Sequence, residues 1–156
     1  MPKVSVQWLA DDEVIFIEYD DMQVEDDESF DRWRDAVFEG LEKVREQIGG
    51  RAPLVVSVDG LHLLSCMGDR YSQELAMPVA KEFATIIARC GDERQTNRVV
   101  AVEAMRRTLK MDDPVARARE YAANIFVSRD EAVSFIRSLC AQGLIECGVV
   151  PLRSAS

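Results

Sequence analysis

Histidine occurs once in this chain, at position 62, and its four cysteines, Cys66, Cys90, Cys140 and Cys147, contain no C-x-x-C pair. Zinc and haem sites draw on clustered His and Cys ligands. A metal centre here would have to be assembled from scattered thiols and carboxylates, so no metal or other cofactor is expected. Three of the cysteines stand in apolar runs, where a free thiol behaves as a small hydrophobe. The eight glycines are scattered and form neither G-x-G-x-x-G nor a P-loop, which excludes the usual phosphate cradles. Nowhere do about 18 consecutive apolar residues occur, and the start, "MPKVSVQWLADDE", has no apolar stretch behind a basic region. The expectation is a cytoplasmic protein with neither a membrane span nor a leader.

Positive charge is also short, with 19 bases against 28 acids and a net charge of −9. Through Leu61 there are 16 acids and 6 bases; from His62 onward the remaining 12 acids and 13 bases nearly balance. A phosphate backbone is repelled by such a chain, because nucleic-acid binding relies on a basic stripe that releases counterions. Nucleic acid is therefore not an expected partner.

What is present suits a folded domain. With 47% apolar and 30% charged residues over 156 positions, the chain reads as one domain, 1–156, with a core over about 3–142 and an apolar tail from 143. "KVSVQWL" and "EVIFIEY" alternate or concentrate β-branched and aromatic residues around the turn "ADDE", which predicts an antiparallel hairpin. An acidic connection ends at Ser29, the expected cap of a helix. That helix carries Phe30, Trp33, Val37, Leu41, Val44 and Ile48 on one stripe and stops at Gly49 and Gly50. "PLVVSV", Pro53 to Val58, reads as a strand covered on both faces.

A second helical pattern is read from Tyr71 through Leu75, Val79, Phe83, Ile86 and Ile87 to Cys90, interrupted at Pro78 by a kink or a junction of two helices. "RVVAVE", Arg98 to Glu103, reads as another buried strand, and "DPVARAREYAAN" as a short helix with Asp113 as cap and Pro114 at its first position. Ile125, Phe126 and Val127 form a last strand. Ser128 then caps a helix, Glu131 completes a capping box, and Val127 can staple against Ala132. Strands alternate with helices after the hairpin, so the expected fold is α/β, a mostly parallel sheet of about five strands with helices packed on it.

Chemistry is harder to find. His62 lies three residues from Ser65, but spacing fixes no acid beside them, so no nucleophile, base and orienter can be named and no catalytic residue is expected. "DDMQVEDDESFD" lacks the central glycine and ligand period of a calcium loop. Arg106, Arg107 and Lys110 in "MRRTLK" make a candidate anion patch.

The element order, with "PLVVSVDGLHLL" in the middle and "RVVAV" followed by "ANIFVSRDEAVSFIRSL" at the end, resembles the STAS domains, the anti-sigma-factor antagonist and sulfate-transporter type. It is most similar to their SpoIIAA-like branch, in which a final strand leads into a helix carrying a Glu-Ala pair, here Glu131 and Ala132. Regulatory members carry a phosphorylatable serine where the helix after the central strand begins. The matching region is "DGLHLLSCMGD", in which Asp59, Ser65 and Gly68 are the candidate switch or ligand loop, at a spacing that departs from the family's.

The resemblance implies a non-catalytic regulatory or protein-interaction module. The alternative is a domain that binds a small lipid or anion in a pocket beneath the Asp59 to Asp69 loop, lined by Leu61, Leu64 and Phe83. The expected partner is another protein or a second copy. The apolar tail, Leu144 to Leu152, either folds over its own sheet or builds a homodimer.

Overall fold

The computed structural model of the chain describes residues 3–91 and 125–152. The strand expected at Arg98 to Glu103, the helix expected from Asp113 and the Arg106, Arg107 and Lys110 patch all lie outside the described residues.

The chain opens with the hairpin. β1 (Val4–Leu9) pairs antiparallel with β2 (Val14–Tyr19), from Val4 opposite Tyr19 to Leu9 opposite Val14. A short strand, β3 (Met22–Val24), leads to α1 (Asp27–Ile48). The cap of α1 is Asp26, one turn earlier than expected: its carboxylate accepts from the Ser29 N–H at 2.8 Å, and the Ser29 hydroxyl accepts from the Asp26 N–H at 3.1 Å. Ser29 thus closes the capping box from the third helical position, because an Asp–Ser pair satisfies two free amides where one serine would satisfy one. Gly49 ends α1 in the left-handed conformation, φ 74°.

β4 (Gly50–Ser57) follows, then β5 (Leu61–Leu63). A 3-10 turn (Ser65–Met67), α2 (Gly68–Arg70), a π-helical stretch (Tyr71–Ala76) and α3 (Met77–Glu82) run on without a break. Pro78 stands at the start of α3, so the interruption expected there is a junction where the π-helical stretch gives way to α3. The helical reading of the residues beyond Glu82 is corrected, since Ala84–Cys90 is a strand, β6. Short apolar runs carry no period that separates a buried strand from a helix. Here Ile86, Ala88 and Cys90 point to one side of the sheet and Ile87 to the other. β7 (Ile125–Phe126), α4 (Arg129–Ala141) and β8 (Val150–Pro151) complete the described chain.

The expectation of a mostly parallel sheet is also corrected. Among the described residues the main sheet runs β1-β2-β4-β6-β7, with β8 on the start of β4. It is mixed: β2–β4, β4–β6 and β6–β7 are parallel, while β1–β2 and β4–β8 are antiparallel. β3 and β5 form a separate parallel pair.

Two helical layers cover the two faces. α1, the π-helical stretch and α3 pack their apolar sides on Ile15, Ile17, Leu54 and Ile87. α4 packs Ala132, Val133, Ile136 and Leu139 on Val14, Phe16, Val55 and Ile86. Central strands therefore bury both faces, as parallel strands between helix layers do. At its N-terminus α4 accepts the Glu131 N–H on the Ser128 hydroxyl at 3.2 Å, and the Glu131 carboxylate returns to the Val127 N–H at 3.1 Å. Val127 itself is 58% exposed, so it does not staple the helix.

The tail folds back on its own sheet. Ile145 is buried in the α4 cluster, Leu144 packs beside it, and Val150 and Pro151 pair with Arg51 and Gly50. Of the two arrangements open to the tail, the fold-back is the one seen within the chain: Ile145 is buried, Leu144, Val149 and Val150 are half-buried, and Leu152 stays exposed. No described helix is long and apolar enough to cross a membrane.

Candidate functional site

The loop after β4 is built as a return. Gly60, at φ 80°, accepts the Met22 N–H on its carbonyl at 2.7 Å, and a Cβ placed on it would lie 2.4 Å from the Tyr19 carbonyl oxygen. Only glycine fits so close an approach of two backbones. The turn delivers β5 alongside β3, burying Leu61 and Leu63 and turning His62 outward, where its Nε2 lies 3.1 Å from Asp21 Oδ1. His62 is thus an exposed partner of a carboxylate. The Leu64 N–H donates to the Val24 carbonyl at 3.1 Å, its side chain stands 50% exposed, and Ser65 opens the 3-10 turn.

Of the candidate loop residues, Asp59 stands at the start of the loop and Gly68 at its far end. Asp59 is held toward the end of β6: a Cβ on Gly91 would stand 3.2 Å from its Oδ1. Beside it, burial pushes the Cys90 thiol up to about 11, a bond to Ser57 opposes that, and the Asp59 charge adds to it. Cys90 is a protonated core residue, as its apolar surroundings imply. Gly68 lies buried at the far end of the loop, starting α2. Leu61 and Phe83, expected to line a ligand pocket with Leu64, are closed into the core.

Sequence reasoning missed the polar group on the other side of β6. Arg89 is 1% exposed, and its Nε and Nη2 donate to the Tyr71 hydroxyl at 3.0 and 2.5 Å. The Tyr71 ring stacks on Trp33, centroids 5.8 Å apart and planes 5° from parallel. Phe30 and Tyr19 meet Trp33 edge-on. Burial raises the Tyr19 phenol well above its ordinary value, against a contact from the Trp33 indole. Tyr19, Tyr71 and Arg89 line a cavity of about 30 Å³ with Ile17, Leu75 and Ile87. The signal was a single arginine inside an apolar, β-branched run, hidden by reading that run as helix.

Over the same helices lies an ion-pair hub. Arg70 reaches Asp27 and Asp31 at 2.9 Å each and Glu74 at 2.5 Å, and Arg34 reaches Glu74 at 2.8 Å. The hub ties α1 to the π-helical stretch that carries Tyr71. Hydrogen bonding from Arg70 holds the Glu74 carboxyl below the ordinary carboxylate range, against partial desolvation.

A buried guanidinium on a phenol, with room beside it for a water-sized guest, anchors helices to the sheet. Ligand pockets enclose roughly 300 to 1,000 Å³, at least ten times the volume of this core cavity. Among the described residues no three His, Cys, Asp or Glu side chains gather as a metal ion would need. Comparison with protein-family models, with curated proteins and with solved structures finds no match to this chain.

Proposed function

We propose that this chain is a non-catalytic, cytoplasmic regulatory or protein-interaction module of the STAS kind, with the Asp59 to Asp69 loop as its contact surface. The observation that carries the reading is the loop itself. It is fixed at its base by the β3–β5 pair and by the Gly60 turn, yet it presents Leu64 half exposed beside Ser65. An apolar side chain on a rigid support is what a protein partner desolvates at low entropic expense. A phosphate or carboxylate next to it would alter that contact by charge and hydration.

The small-ligand reading finds less support, since the described core cavity is near 30 Å³ and Leu61 and Phe83 are packed shut. The test is capture of partners from host lysate by wild type, Ser65→Asp and Ser65→Ala. Retained folding with a changed set of partners in Ser65→Asp alone is the expected result. Equal capture by all three removes Ser65 as a switch.

A further inference from the structure

Between the β1–β2 turn, α4 and the tail lies a surface pocket of about 180 Å³, walled by Asp11, Asp12, Glu13, Arg137, Cys140 and Cys147 among others. Gly143, at φ 72°, reverses the chain just past α4 and donates its N–H to the Cys140 carbonyl at 3.0 Å. Leu144 then bonds back to Leu139, also at 3.0 Å, and Ile145 is buried against the helix. That return brings Cys147 to Cys140, so that both thiols line this one pocket as neighbours. Cys147 is exposed, so a reagent meets it first; Cys140 is half-buried behind it.

Burial foremost, then the Cys147 thiol and the Glu13 carboxylate, push the Cys140 thiol up to about 12. Such a thiol resists reaction by itself, but it can still resolve an oxidised neighbour already in contact. The pocket's charge narrows the choice of oxidant. Three carboxylates face one arginine, and Arg137 is already paired with Asp12 at 3.0 Å. Anionic peptide disulfides are repelled from such a wall, whereas a small uncharged hydroperoxide is not.

We propose that Cys140 and Cys147 form a reversible dithiol–disulfide pair, oxidised by a hydroperoxide, that ties the end of α4 to the tail carrying β8. In the first step the Cys147 thiolate attacks the peroxide O–O bond. The sulfur becomes a sulfenic acid, and the departing hydroxide takes up the thiol's proton as water. In the second step Cys140 Sγ attacks the sulfenic sulfur, its own proton leaves with the hydroxyl as a second water, and the S–S bond forms. Two thiols and one hydrogen peroxide thus give one disulfide and two waters: each sulfur loses one electron overall and the peroxide gains two. Reduction by a dithiol reverses the change.

Both cysteines fall in one tryptic peptide, 138–153, so the test reads a single mass. The reduced full-length protein is treated with hydrogen peroxide, alkylated under denaturing conditions and digested. The peptide should lose both alkyl labels and two hydrogens, recover them after dithiothreitol, and do so faster in the folded chain than in urea. In Cys140→Ser, Cys147 should stop at the sulfenic acid and take a dimedone tag; in Cys147→Ser, Cys140 should keep its label. A wild-type peptide that retains both labels, a sulfinic acid at Cys147 with Cys140 still labelled, or equal rates in buffer and urea would each overturn the pair. The wild-type mass decides by itself should a variant fail to fold.

Discussion

Arg89 and Arg70 are arginines in two different solvents. Arg89 is enclosed in the sheet, where a buried charge must be hydrogen-bonded to be tolerated, and the Tyr71 hydroxyl supplies two of its contacts. Arg70 stands at the surface, stacked on the Phe30 ring at 4.1 Å, and its bonds to carboxylates are partly screened by water. The pH dependence belongs to this second group. Because the Glu74 carboxyl is held below its unfolded value, the stability its pairing contributes is fully present above the unfolded pKa of about 4.3 and is lost as pH falls through the lower folded value. Melting temperature measured against pH should therefore fall more steeply below that point in wild type than in Glu74→Gln. Parallel curves would show that the Arg70 hub does not stabilise the fold.

At the level of elements, α1 packs tightly across β1. A Cβ on Gly40 would stand 2.5 Å from Val6 Cγ2 and 2.7 Å from Val6 Cβ. In an exposed helix interior, replacing glycine by alanine stabilises by about 1 kcal/mol. Here the added methyl forces helix and strand apart, and overpacking of this kind destabilises by about 1 to 3 kcal/mol. Gly40→Ala should lower the melting temperature with helical content preserved, by circular dichroism. A rise instead would mean that α1 and β1 are spaced more loosely than the structure has them. The same logic of contact, and not of propensity, explains β6. Flanked by β4 and β7 in parallel register, its residues gain ladder hydrogen bonds and two buried faces at once.

For the whole molecule the tail is the last layer to be added. Ile145 alone, once exposed, forfeits about 2 kcal/mol of apolar burial, and removal of β8 leaves the start of β4 unpaired on that side. Truncation after Gln142 should lower the melting temperature and leave a chain that aggregates in light scattering, with the full-length protein monomeric. A truncated chain that keeps its stability while a full-length dimer becomes a monomer would instead assign the tail to a second copy.

The hairpin, the α1 stripe with its glycine stop, the buried strand after Pro53 and the Ser128 and Glu131 cap were legible because each rests on residues a few positions apart, where side-chain period and backbone geometry act locally. The strand Ala84–Cys90, the mixed sheet and the meeting of Tyr71 with Arg89 were not, since the partners that define them lie far away along the chain. A strand is completed by hydrogen bonds to another strand, and a buried arginine by an acceptor on another element. The candidate loop was partly legible: its turn stands where the sequence put it, but Leu64, expected to line a pocket, is half exposed, and the places of Asp59 and Gly68 were decided by packing against β6 and the core. Sequence alone determined which segments could form local structure; tertiary contact decided which of two allowed structures an apolar run adopted, and which thiols met, because only the folded chain brings those surfaces together.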